Sequence, residues 1–133
     1  MGAWGHGSFD NDSALDWLGA LADEGPSLLE AALAAAADAG DDDYLEVDEA
    51  SAALAAAELV AAALGHGDER LCEDAAAWLP AHRDQVREVG APRARAAVAR
   101  VYAASELREL WDDNGDDTPW HAGVRALLDR LAA

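Results

Sequence analysis

The chain has 133 residues, a net charge of −18, a single cysteine, and neither lysine nor isoleucine. That length fits one domain over residues 1–133, and a lone cysteine leaves no internal disulfide to form. The longest apolar run, from Ala50 to Leu64, is mostly alanine and is broken by Glu58, so it is not a bilayer span. Alanine fills 35 positions, whereas Leu, Ile, Val and Phe together fill 25. So few bulky apolar residues with so much charge resemble a disordered composition, yet the alanines recur at helical spacing and five tryptophans are present. The composition describes a folded, thinly cored helical protein. No secretory leader opens it, and His6 stands where a myristoylation signal needs Ser or Thr, so a cytoplasmic protein is expected.

The first elements follow from local chemistry. Gly2, Gly5 and Gly7 keep residues 1–11 out of a helix and make an extended Gly-rich segment that places Trp4 and Phe9. Asp10, Asn11 and Asp12 are all suited to cap a helix from about Ser13 to Asp23, with Ala14, Trp17, Leu18 and Leu21 on one face and Leu15 beside them. Gly25 stops it, and Pro26 opens a second helix with a Leu29, Leu33, Ala36 stripe, ended by Gly40. After the acidic loop Asp41–Asp43, the residues Tyr44, Leu45 and Val47 lead into the next core element, and Asp48 is expected to cap a third helix reaching Leu64. Ala50, Leu54, Ala57, Ala61 and Leu64 give that helix one inner face, with Val60 adjoining.

A fourth helix is predicted from about Glu69 to Leu79, with Pro80 kinking it or starting a new one to Val89. A fifth runs from about Arg93 to Trp111, its apolar set ending with Leu107, Leu110 and Trp111. The last opens at Thr118-Pro119 and buries Trp120, Val124, Leu127, Leu128 and Leu131. No strand-like alternation interrupts this pattern. The fold expected is all-α, an irregular antiparallel bundle of about six helices.

Charge divides the chain. Residues 1–69 hold 16 acids and no arginine; residues 70–133 hold 11 acids and all 9 arginines. Phosphate-bearing partners would be repelled, so neither nucleic acid nor an anionic membrane is an expected partner. A basic protein partner is compatible with the charge. The plainer reading is that the acids solubilise an alanine-rich surface. The arginines Arg83, Arg87, Arg93, Arg95 and Arg100 are expected to offset the acidic half through weak surface pairs rather than to bind phosphate.

The opening Met1-Gly2-Ala3-Trp4-Gly5, then Gly7, Phe9-Asp10-Asn11-Asp12, Ala14 and Asp16-Trp17, resembles the start of the bacterial domain of unknown function 4259 family. Two more blocks agree: Asp43-Tyr44-Leu45-Glu46 with Glu49-Ala50, and Ser105-Glu106-Leu107-Arg108-Glu109-Leu110-Trp111. The resemblance implies a small, mostly helical bacterial domain, and it carries no activity, cofactor or catalytic residue.

Candidate sites are few. Trp4, His6 and Asp10 could border a small-ligand site at the Gly-rich entry, although core packing of Trp4 and Phe9 with acidic capping explains the same residues more simply. Asp41, Asp42 and Asp43 are candidates for contacting a basic partner. The four histidines share no metal-ligand spacing, and Cys72 has no second cysteine; it reads as a small buried residue. The loop Asp112–Asp117 lacks the sixth-position Gly and twelfth-position Glu of a calcium loop and reads as a solvated turn. No catalytic residue, metal site or cofactor is assigned. Two functions remain: a noncatalytic protein-binding module, as immunity proteins are when they neutralise a basic toxin, or a small enzyme or ligand-binding domain with a pocket near the N-terminal glycines.

Overall fold

The computed structural model describes residues 7–40, 42–66, 71–113, 115 and 117–132, and these form seven helices with no β-strand among them. Asn11 starts α1 (Asp12–Glu24): its side-chain oxygen accepts the Ala14 N–H at 2.8 Å. Of the three capping candidates, Asp10 is instead occupied one turn earlier, where its carboxylate accepts the Gly7 N–H at 3.1 Å. Gly25, at φ 85°, ends α1 and leads straight into α2 (Pro26–Ala37) with Pro26 at its first position. The positive φ is what reserves this corner for glycine.

The third helix, α3 (Val47–Ala63), is capped two residues before the expected position. Glu46 is its N-cap, paired with Glu49 in a reciprocal capping box, so Asp48 lies inside the first turn. Its interior differs from the single face that the spacing suggested. Ala53, Ala55, Ala56 and Leu59 are fully buried along with Ala50, Ala57 and Ala61, so the helix is enclosed on nearly every side. It touches every other helix of the fold. Alanine permits this: with only a methyl group beyond the backbone, neighbouring helices approach from several directions without competing for space.

Pro80 does not divide the next element. The helix α4 (Glu73–Val89) is continuous through it. Pro80 is exposed, as is Ala76, whose carbonyl loses the N–H that proline lacks, so water can solvate that carbonyl. The predicted fifth helix, by contrast, is two: α5 (Ala91–Ala103) and α6 (Glu106–Asp112). Ser105 makes the break. Its hydroxyl donates to the Val101 carbonyl at 2.8 Å and accepts the Arg108 N–H at 3.0 Å, closing one helix and capping the next. The face resets there, which leaves Leu110 half exposed while Leu107 is buried. The last helix, α7 (Pro119–Ala132), matches its predicted start and buries Trp120, Val124, Leu127 and Leu131, with Leu128 half-buried.

One apolar cluster draws residues from all seven helices, together with Phe9 and Leu45. Phe9 is therefore a core residue as expected, while Trp4 and His6 lie outside the described residues. A charged pair crosses the same interior. Arg130 on α7 donates to Glu58 on α3 at 2.9 Å, and the Ser8 hydroxyl donates to the other Glu58 oxygen at 3.0 Å. Deleting one member of such a half-buried pair leaves the other charge without its partner, a cost of about 3–5 kcal/mol in fully buried cases.

The enclosure of α3 makes a direct prediction. Ala57 is fully buried, so Ala57→Leu should destabilise the fold by about 1–3 kcal/mol through overpacking, although it adds apolar bulk to a thin core. Chemical denaturation measures this; an unchanged or raised midpoint contradicts the packing described.

Candidate functional site

The arginines are spent differently from the expectation of surface ion pairs. Among the described residues, only Asp38 and Glu58 of the acidic half pair with an arginine, through Arg93 at 2.7 Å and Arg130 at 2.9 Å. Most other guanidinium contacts are to backbone carbonyls, several of them at helix C-terminal ends. Arg83 donates to Ala62 and Ala63 at the end of α3, Arg95 to Leu131 in α7, and Arg108 to Tyr102 in α5. A helix leaves its last four carbonyls without internal donors, and a cation there also suits the helix dipole. Arginine thus works mainly as a donor to backbone carbonyls, and among the described residues most carboxylates of the first three helices face solvent without a basic partner.

Arg100 builds the most distinctive surface. From α5 it donates to Ala104 at its own helix end, and across to Ala39 at 2.9 Å, Gly40 at 3.0 Å and Asp43 at 2.6 Å. These bonds hold the connection between α2 and α3 in place. On the far side, the Glu106 N–H donates to the Leu45 carbonyl at 2.9 Å, and the Glu106 carboxylate accepts the Val47 N–H at 2.9 Å. Leu45 is buried, but Tyr44 is 57% exposed, not directed into the core. Its hydroxyl donates to Glu109 at 3.3 Å.

An open groove of about 460 Å³ results, floored by Ala34, Ala35, Ala39 and Leu45 and edged by Asp38, Asp43, Tyr44, Glu46 and Glu49. A second groove of about 320 Å³, lined by Glu30, Ala31, Ala34, Val89 and Arg93, meets it at Ala34. The acidic character of the first is evident at Tyr44, whose phenol is held above its ordinary range. Partial desolvation is the larger cause, followed by the charges of Glu109, Glu106 and Glu46.

The predicted site residues separate. Of the N-terminal set, Trp4 and His6 lie outside the described residues, and Asp10 closes a turn: its N–H also donates to the Gly7 carbonyl at 3.1 Å. A Cβ on Gly7 would lie 2.8 Å from the Asp10 carboxylate, so a larger residue there would make that side chain shift. Neither groove includes a described residue of this segment. Of the acidic loop, Asp41 lies outside the described residues, Asp42 is exposed, and Asp43 accepts the Gly40 N–H at 2.8 Å while edging the groove.

Elsewhere, Cys72 is the half-buried N-cap of α4 rather than a buried helix residue. Among the described residues, no group of three His, Cys, Asp or Glu side chains is placed to hold a metal ion.

The stretch Asp112–Asp117 is more than a solvated turn. Asp112 is the last residue of α6 and accepts from His121 Nε2 at 2.7 Å and from Arg108 Nε at 3.0 Å. Asp117 accepts from Arg125 at 2.9 Å. His121 is fully buried, and its Nδ1 accepts the Thr118 N–H at 3.1 Å. A signal for this was present in the sequence: Thr118 and His121 stand three apart at a helix start, where a capping box places Ser/Thr and Glu/Gln.

The His121 hydrogen bond is the main influence holding the Asp112 carboxyl below the usual aspartate range; the Arg108 hydrogen bond and charge act in the same direction against partial desolvation. A carboxyl lowered on folding adds stability above its unfolded value of about 3.9 and loses it as the pH falls through the lower folded value. Asp112→Asn should therefore lower the melting temperature at neutral pH and reduce the loss of stability as the pH falls below about 4. Equal acid sensitivity in the two proteins contradicts this assignment.

No helix among the described residues is long and apolar enough to cross a membrane. No curated protein and no solved structure matches the chain. The family model described as Domain of unknown function (DUF4259) matches residues 2–123, and the chain belongs to that family.

Proposed function

We propose that the chain is a noncatalytic protein-binding module that recognises a basic partner through the acidic groove between α2 and the start of α3. The observation that carries this reading is the use of arginine on backbone carbonyls. A fold that needed only internal charge balance would direct its guanidinium groups to carboxylates; here Arg100 instead braces the groove wall through carbonyls of Ala39, Gly40 and Asp43. The groove keeps the exposed Tyr44 ring beside carboxylates of Glu46 and Glu49. An aromatic face next to negative charge suits an arginine or lysine side chain, which gains from both. Neutralisation of a basic toxin, as by immunity proteins, is one role that such a surface serves.

Electrostatic attraction of this kind raises association rates and fades with salt, because the Debye length is only about 10 Å at 0.1 M. A short arginine-rich peptide titrated into isotope-labelled protein should shift amide signals of Asp42 to Glu49 most, and the shifts should shrink as salt is raised. The double substitution Asp42→Arg with Tyr44→Ala should reduce them while the remaining spectrum stays folded. Shifts spread evenly over exposed acids such as Asp16, Glu30 and Asp84 would show that the acids serve solubility alone.

A further inference from the structure

We propose that the corner between α6 and α7 is a proton-operated latch, closed by neutral His121 and released when that imidazole takes up a second proton. The geometry fixes the closed state. A backbone N–H can only donate, so the Thr118 N–H at 3.1 Å requires a bare Nδ1. The ring proton is then on Nε2, where it is donated to Asp112 Oδ1 at 2.7 Å. The Thr118 hydroxyl also approaches Nδ1, at 2.8 Å. One neutral ring thereby joins the end of α6 to the residue before α7, with no part of it exposed.

Protonation places a hydrogen from solvent on Nδ1 and leaves the Nε2–H bond to Asp112 intact. The Thr118 hydroxyl can turn and accept the new N–H. Its backbone N–H cannot, and it loses its acceptor at the start of α7. The charged groups around the ring divide. Asp112 on α6 favours the imidazolium; Arg108, bound to the same carboxylate, and the positive end of α7 oppose it. From α5, the Tyr102 ring stands nearly perpendicular to the imidazole at 6.2 Å, and its hydroxyl accepts from Arg125, which also holds Asp117. The acid facing α7 from α3 is Glu58, and it is engaged by Arg130, nine residues further along. The proton is therefore accommodated by giving up the Thr118 bond, which frees the corner and loosens Trp120, whose ring lies 5.0 Å from the imidazole.

Nuclear magnetic resonance on protein with labelled imidazole nitrogens tests this between about pH 8 and about pH 5, the span in which imidazoles ordinarily titrate. The alkaline spectrum should show the Nε2–H tautomer. As His121 protonates, protection of the Thr118 amide should fall about tenfold, while the Leu59 amide in α3 stays unchanged. His121→Gln retains an acceptor at the capping-box position and should keep the Thr118 amide protected throughout. The proposal is overturned by an Nδ1–H tautomer, by a His121 that stays neutral over this span, by a Thr118 amide that ignores its titration, or by the same pH step in His121→Gln.

Discussion

The fold depends on one helix being small enough to surround. Six helices pack on α3, and no bulky side chain could serve so many neighbours at once. Helix axes normally lie about 8–10 Å apart, with the spacing set by the side chains at the contact. Alanine at positions 53, 55, 56, 57 and 61 brings the neighbours inward on several sides. α3 adds Leu54, Leu59 and Val60 of its own, and most of the remaining bulk comes from the surrounding helices: Leu21 and Leu29, Leu33, Val98 and Val101, Leu127 and Leu131 are all almost wholly buried. A composition that resembles disorder thus makes a core because its small residues are concentrated at the centre.

That arrangement creates many helix ends within a short chain, and each needs donors for its last carbonyls. Arginine supplies them. The consequence is electrostatic: donors used on carbonyls are not available to acids, and the surplus negative charge stays on the surface of the first three helices. The groove at Tyr44 combines both effects, since the same Arg100 that donates to Ala104 at the end of α5 also orders the acidic connection from α2 to α3.

Elements with strong local punctuation could be read directly from the sequence. Gly25-Pro26 and Thr118-Pro119 mark helix boundaries that the structure reproduces, and Phe9 is buried as its motif suggested. Features that depend on tertiary packing could not. The spacing gives α3 a single apolar stripe because alanine offers little contrast between faces, and enclosure on nearly every side is a property of its neighbours. Pro80 is tolerated because its side of α4 faces water. The Ser105 break resembled helix continuation because alanine and leucine persist on both sides, although Ser followed by Glu is a capping signal. The groove follows from that break, since α6 begins where it can hold Leu45 and Val47. The Arg100 bonds and the His121 bridge join segments far apart or across a corner, and periodicity holds no trace of them.

Native-state hydrogen exchange, amide by amide, tests the central role of α3 most directly. Segments that open only when the whole protein unfolds exchange slowest, whereas peripheral ones open locally. The amides from Leu54 to Val60 should be the most protected in the chain, with an opening free energy equal to that of global unfolding. If they exchange faster than the amides of α1 or α7, the alanine-rich helix is not the element around which the structure is built.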